Sequence, residues 1–432
     1  MRNLPALLPV PVFLLVPILL LGPVLVGAAP VQARTLPHLV LDLDSGRVIT
    51  QESAFDPWHP ASLTKMMTAW TVFEAIRTGA VAPDAPVRIT PAARRAPPSR
   101  MGYRTGTTMT VEAALALTVV KSANDVAVAL AEAVSGSVPA FARRMNGEAA
   151  RLGMTGSNFV NPHGLHDARQ VVTARDMGLL ARAIHRRHPD RAALFAAPAV
   201  SAPAARGKDG KRRRKLHFSY NLLLERYRGA DGFKTGFVCA SGYNFVAAAS
   251  RGGRRIAAVV LGRDGQKSRA VDAARLLTDA FQKPMGAGVP IAQLRPDRPP
   301  LQAPRNMRPI LCTEPAWAAR YNPTPQTALI VSPWLDARRS TGRTLRVDLE
   351  GASAARPLAP GRVPRPVFRP AAASGPTRAP TPDRTPARAP SAPGPAVGTA
   401  LSERSVAPSA PAAAPAAARA ADVALPTFRP SL

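Results

Sequence analysis

The sequence predicts an α+β fold: one antiparallel sheet built from both ends of a domain, with a helical cluster between. Three observations predict it. Residues 38–50, HLVLDLDSGRVIT, hold two short apolar runs around a turn at Asp44-Ser45-Gly46. Residues 243–250 and 255–262, YNFVAAAS and RIAAVVLG, flank RGGR, a hairpin signal. The stretch between them is dominated by apolar residues at helical spacing. Strands at both ends of a helical run are brought together most simply by one shared sheet.

The elements follow in order. Met1-Arg2, an apolar run from Val10 to Val26 and VQA at 31–33 form a secretory signal peptide, residues 1–33, cleaved after Ala33. The run is almost long enough to stay as an anchor, but Pro23 and the small residues after it favour cleavage. Either way the body is exported. The folded domain spans 34–284. Residues 62–78 predict a helix closed by Gly79, since SLTKMMTAWTVFEAIRT has apolar residues at helical spacing and no interior proline. Residues 111–134 predict a mostly buried helix or helix pair, 139–152 and 173–187 amphipathic helices, and 267–282 a final helix. From Pro284 on, lysine disappears and proline is frequent. Residues 285–350 form a linker or small element, in which TALIVSPWL (327–335) and TLRVDLEG (344–351) are short strand candidates. Residues 351–432 are mostly Ala, Pro, Arg and Ser; they bury too little apolar surface to offset ordering entropy, which predicts a disordered tail.

Among the 432 residues, 57 Lys and Arg against 27 Asp and Glu give a formal charge of +30, part of it in RGKDGKRRRK at 206–215. For an exported chain nucleic acid is not the expected partner. The charge points to anionic membrane or cell-wall surfaces, or to nothing beyond a solvated loop. Only Cys239 and Cys312 occur. Whether they bridge is a matter of geometry that sequence does not supply, and Cys239 reads as a buried structural thiol rather than a nucleophile. His163/His166 and His185/His188 have no Cys, Asp or Glu set at ligand spacing, so neither a metal nor another cofactor is expected.

Three motifs carry the chemistry: Ser62-Leu-Thr-Lys65 at a helix start, Ser122-Ala-Asn124 after a long apolar run, and Lys234-Thr235-Gly236 within DGFKTGF. Each is weak alone. Ser62 could be a plain helix cap beside a surface lysine. Ser219-Tyr-Asn221 is a second Ser-x-Asn, but it crowds the third motif, whereas Ser122 comes from an independent element. DGF before Lys234 reads as turn chemistry.

Their order and spacing match the Ser-x-x-Lys, Ser-x-Asn and Lys-Thr-Gly set of penicillin-binding proteins and class A β-lactamases. With DLDSGRVI, PASLTKMMTA, NPHGLHDARQVVTARDMGLLARAI and DGFKTGFVCASGYNFVAAA, the chain resembles the D-alanyl-D-alanine carboxypeptidases among the low-molecular-mass penicillin-binding proteins over residues 36–283. The resemblance implies the DD-peptidase/β-lactamase-like fold, peptidoglycan stem peptides ending in D-Ala-D-Ala as substrate, β-lactams as covalent inhibitors and an extracytoplasmic location. It implies Ser62 as nucleophile, Lys65 as base and Ser122 as proton relay. Asn124, Lys234, Thr235 and Gly236 would bind substrate, Phe237 and Ser62 would give backbone N–H groups to an oxyanion, and Arg269 would bind the terminal carboxylate. A helix start favours partial alkoxide character at Ser62, and burial beside Lys234 would keep Lys65 neutral. No E-x-x-L-N stretch occurs and Ala123 stands where class A β-lactamases carry aspartate, which disfavours fast lactam hydrolysis. Two further readings are a D-Ala cross-link endopeptidase using the same site and a non-enzymatic cationic wall- or membrane-binding protein on the same scaffold.

Overall fold

A computed structural model describes residues 36–204, 213–316, 332–336 and 343–349. All fall in the first of two units into which the chain divides, Met1–Pro364. The expected signal peptide, the 351–432 tail, most of the basic block and most of TALIVSPWL lie outside the described residues.

The chain opens with β1 (His38–Asp42) and β2 (Arg47–Glu52), an antiparallel pair. The Asp42 carboxylate accepts from the Asp44 and Ser45 N–H groups at 3.2 and 2.9 Å and so fixes the turn between them. A 3₁₀ turn, Ala61–Leu63, leads into α1 (Thr64–Arg77). Next come β3 (Pro86–Arg88), α2 (Pro91–Arg95) and β4 (Thr108–Thr110). The predicted run at 111–134 is a pair, α3 (Val111–Val119) and α4 (Asn124–Ser135). Helices α5 (Val138–Arg151), α6 (Ala174–Arg187) and α7 (Pro189–Ala192) follow. A hairpin of β5 (Ala199–Pro203) and β6 (Arg214–Phe218) precedes α8 (Leu223–Arg226). The domain closes with β7 (Ala230–Val238), β8 (Gly242–Arg251), β9 (Arg254–Arg263) and α9 (Gln266–Gln282).

The main sheet has the order β10-β2-β1-β9-β8-β7, where β10 is Val289–Pro290, and every neighbouring pair is antiparallel. The opening hairpin β1–β2 and the late strands β7–β9 therefore share one sheet, as the sequence predicts, and β7 is its edge. The two-residue period of a strand divides its apolar side chains between two cores. Leu39, Leu41, Val246, Ala248, Val259 and Leu261 face the helical cluster of α1–α6. Val40, Phe245, Ala247, Ile256, Ala258 and Val260 face α9 through its Ala270, Ala273, Ala274 and Leu277. Both faces are covered, so β8 and β9 read as unbroken apolar runs. Each large side chain withdrawn from water there contributes about 1.5–3 kcal/mol.

Two expectations are corrected, and of the two alternatives for residues after 284, a linker or a small element, the described residues give the element. Asp231-Gly232-Phe233 is not a turn. It lies inside β7, where the register shifts between Ala230 and Gly232, and Asp231 pairs with Arg255 at 3.1 Å. Cys239 is not a thiol; it is bonded to Cys312, with Cα atoms 5.8 Å apart. Residues 285–312 do more than link: β10 extends the sheet, the Met307 N–H donates to the Ala240 carbonyl at 3.0 Å, and α10 (Arg308–Leu311) leads to the disulfide. Within TLRVDLEG, β11 (Leu345–Arg346) pairs in parallel with β5.

Candidate active site

The three motifs come from three separate elements. Ser62 sits in the 3₁₀ turn ahead of α1, with Ala61 before it at φ +49°. It is not a side-chain cap of that helix. The turn is fastened to the sheet by Asn244, whose amide donates to the His59 and Pro60 carbonyls at 2.8 and 3.1 Å and whose Oδ1 accepts from the Gly262 N–H at 2.9 Å. Ser122 occupies the break between α3 and α4 at φ +62°. This left-handed conformation costs a non-glycine residue on the order of 1–3 kcal/mol and clusters at functional positions. Asn124 opens α4; its N–H donates to the Ser99 carbonyl at 2.7 Å and its Nδ2 to the Pro97 carbonyl at 2.9 Å. Lys234, Thr235 and Gly236 lie on the edge strand β7.

These elements enclose a cavity of about 240 Å³, whose lining includes Ser62, Ser122, Asn124, Thr235, Gly236, Phe237 and Arg269. Lys65 stands behind Ser62, fully buried. Its Nζ is 3.0 Å from Ser62 Oγ, 2.7 Å from Asn124 Oδ1 and 2.7 Å from the His163 carbonyl. Burial, reinforced by the charge on Lys234 and opposed by Asp125, holds the Lys65 amine well below the usual lysine range. A neutral amine has two N–H groups and one lone pair. Once the amine is neutral, with Asn124 Oδ1 and the His163 carbonyl taking its two N–H groups, its lone pair is left for the Ser62 hydroxyl. Lys234, 3% exposed, is itself brought down to about 7 by burial and by Arg269 and Lys121.

Arg269 is no surface residue. It is 4% exposed in the first turn of α9, and its guanidinium donates to the Gly236 and Tyr220 carbonyls at 3.4 and 3.3 Å. Burial lowers it to about 10, which leaves it cationic at neutral pH. Gly236 is required by close approach: a Cβ there would stand 2.9 Å from the Ser62 nitrogen and 3.0 Å from the Pro60 oxygen. The β7 backbone therefore passes directly beside the Ser62 N–H.

All nine sequence-predicted residues thus meet in one place, seven on the wall and two lysines behind it. The alternative Ser-x-Asn does not join them through its asparagine: Asn221 donates to the Gly232 carbonyl and accepts from the Leu223 N–H. The histidine pairs part company. His166 packs edge-on against His59, His185 meets Asp44, and His188 meets Glu74. His163 belongs to the site, which sequence reasoning missed. Its carbonyl holds Lys65, and its ring lines the cavity, accepts from the Leu165 N–H at 3.1 Å and is pushed by burial to about 3. Gly164 allows this loop to seat, because a Cβ would fall 1.8 Å from the Ala61 oxygen. Gln170 binds the loop to itself and to Thr64.

The family profile described as D-alanyl-D-alanine carboxypeptidase, Peptidase_S11, matches residues 26–265. D-alanyl-D-alanine carboxypeptidase DacC of Escherichia coli K12 is 34% identical over 265 residues, 60% of this chain and 63% of that protein. The match thus spans a little under two thirds of that relative's length. Among solved structures, the D-alanyl-D-alanine carboxypeptidase DacD of Francisella tularensis superposes with a TM-score of 0.55 at 28% identity, covering 59% of this chain and 72% of that one. Penicillin-binding protein D2 of Listeria monocytogenes, in its cefotaxime-bound form, gives 0.50 at 28% identity, covering 57% and 96%.

Proposed function

The chain belongs to the D-alanyl-D-alanine carboxypeptidase family, and from that premise we propose that it removes the terminal D-alanine from peptidoglycan stem peptides through an acyl-enzyme on Ser62. The observation that carries this is the Lys65 amine, fully buried, its proton affinity lowered by burial and by Lys234, and 3.0 Å from the Ser62 oxygen.

The step runs as follows. A peptide ending in D-Ala-D-Ala lies along the β7 edge, with its terminal carboxylate at Arg269 and Thr235. Ser62 Oγ attacks the penultimate carbonyl while its proton passes to Lys65. The oxyanion forms against the Ser62 and Phe237 backbone N–H groups; losing one such donor typically costs about 3 kcal/mol in the barrier. The C–N bond breaks as Ser122 passes the proton to the leaving nitrogen, and D-alanine departs. Water then takes the amine's place and gives its proton back along the same route, which frees the shortened peptide and Ser62. Asn124 keeps Lys65 aimed and binds the peptide carbonyl.

β-Lactams, which place the same carbonyl and carboxylate in a ring, would acylate Ser62 and hydrolyse slowly. The Listeria relative bound to cefotaxime supports this. We take the catalytic domain to be the described body from residue 36 through the Cys312 disulfide. The disulfide and the leader in residues 1–33 together support an extracytoplasmic location. The basic stretches would hold the protein loosely to anionic surfaces, and membrane fractions washed in high salt should release it. Labelling by fluorescent penicillin and D-alanine release from a pentapeptide test the whole reading. Ser62→Ala abolishes both; retention of either would refute it.

A further inference from the structure

Tyr220, one of the residues lining the cavity, makes a contact that the mechanism above does not use. Lys121, the residue before Ser122, extends from the α3–α4 break to Tyr220, on the segment that follows β6. Its Nζ donates to the Tyr220 hydroxyl at 3.4 Å and lies 5.5 Å from the centre of that ring. Tyr220 lines the cavity although it is 41% exposed, and its carbonyl is the one held by Arg269. Tyr220 therefore stands on the Arg269 side of the cavity, the side that receives the terminal carboxylate. The Lys121–Tyr220 contact ties that side to the α3–α4 break, which carries Ser122.

The charges agree with this placement. Arg269 and Lys121 both act on Lys234, each adding to the larger effect of burial in lowering its proton affinity. Lys121 and Lys215 similarly press on His217 of β6, whose Nε2 is buried without a partner. A single carboxylate arriving on the Arg269 side of the cavity meets the Arg269 cation, with Lys121 close by and Lys234 free to take up a proton as the anion arrives.

We propose that Lys121 and Tyr220 are specificity residues that wall off the leaving-group end of the cleft, so that it accepts one small D-amino acid with a free carboxylate and turns away a leaving group that continues as a second peptide. This rests on the reading of the site given above. A leaving D-alanine carries only a methyl group beside its carboxylate and fits inside the wall. The leaving residue of a cross-link carries a side chain that must pass between Lys121 and Tyr220. Passage requires their contact to open and moves a cation away from the carboxylate. The proposal therefore assigns terminal trimming, rather than cross-link cleavage, to this chain.

The test compares kcat/KM on a synthetic stem pentapeptide with kcat/KM on a D-Ala-cross-linked dimer of stem peptides, alongside acylation by fluorescent penicillin. The proteins are the wild type, Lys121→Met, Tyr220→Phe and Tyr220→Ala. The wild type should strongly favour the pentapeptide. Tyr220→Ala should raise the dimer-to-pentapeptide ratio by about tenfold or more, the scale of discrimination that a pocket wall provides. Lys121→Met should raise it less, and should raise KM for the pentapeptide more than it lowers kcat. If Tyr220→Ala does not fold, Lys121→Met and Tyr220→Phe still read the wall. A ratio unmoved in the folded variants, in proteins that penicillin acylates, would overturn this proposal alone, as would a wild type that splits the dimer as fast as it trims the pentapeptide. A wild type that neither takes penicillin nor releases D-alanine would overturn the reading of the site and this proposal with it.

Discussion

Helix α1 buries an ionisable side chain near each end, and the two are treated in opposite ways. Near its start Lys65 has only neutral partners, Ser62, Asn124 and the His163 carbonyl, and the cation nearest in effect is Lys234. Its charge is opposed. Near its end Glu74 is equally buried but receives Arg77 at 2.9 Å, Arg151 at 3.1 Å, Arg187 at 3.0 Å and His188 at 2.8 Å. Its charge is held, and the carboxyl falls to about 2 despite burial, which alone would raise it. Burial by itself thus decides nothing about protonation; the partners decide. One end of the helix is built for chemistry and the other for stability.

Four experiments would break or sharpen that contrast. Lys65→Met keeps the volume and removes the base. Acylation by penicillin should fall by about 10³-fold or more, while the unfolding free energy changes by less than about 1 kcal/mol, because the lost donors and the lost desolvation penalty offset each other. A variant that unfolds as readily as it loses activity would erase the distinction between the two ends. Gly236→Ala should cost about 10²-fold in acylation rate with little change in melting, since the added Cβ meets the Ser62 nitrogen. Glu74→Gln should do the reverse, costing about 2–3 kcal/mol in denaturant titrations while the labelled fraction at saturating penicillin stays the same.

The pH profiles give the smallest effects and the sharpest signs. Glu74 has a folded pKa below its unfolded one, so its contribution is complete above about 4.5 and is lost as pH falls toward about 2. Glu74→Gln should flatten that acid limb. On the proposed mechanism Lys65 acts as the neutral amine, so the acylation rate should rise with pH through its depressed pKa. Removing the Lys234 charge by Lys234→Met should move that rise to higher pH, on the order of one unit. An unmoved limb would separate Lys65 from Lys234.

Side chains with distinctive chemistry were legible from sequence. The motif residues, the edge strand and the sheet shared by both ends of the domain were readable because residue type and period carry them, whereas Arg269 on the last helix was reached only through the family resemblance. Contacts made by backbone were not. The His163, Pro97 and Ser99 carbonyls that position Lys65 and Asn124 have no residue-type signature. NPHGL hinted at them only through Gly164, a residue whose missing side chain has meaning once the Ala61 oxygen is seen against it. The β5–β6 hairpin was hidden by its charge, since RRRK reads as a solvated block while Arg214 and Lys215 begin β6. The cysteine pairing had to wait for three dimensions.

That pairing has a consequence for how the protein matures. Cys239 follows Val238, which lines the cavity, and its partner lies 73 residues later. The ring so closed contains β8, β9 and α9, and it cannot be sealed until residue 312 has emerged into an oxidising compartment. A product cut short before that point would display a lone sulfhydryl at the rim of the cleft, open to mispairing with any neighbour.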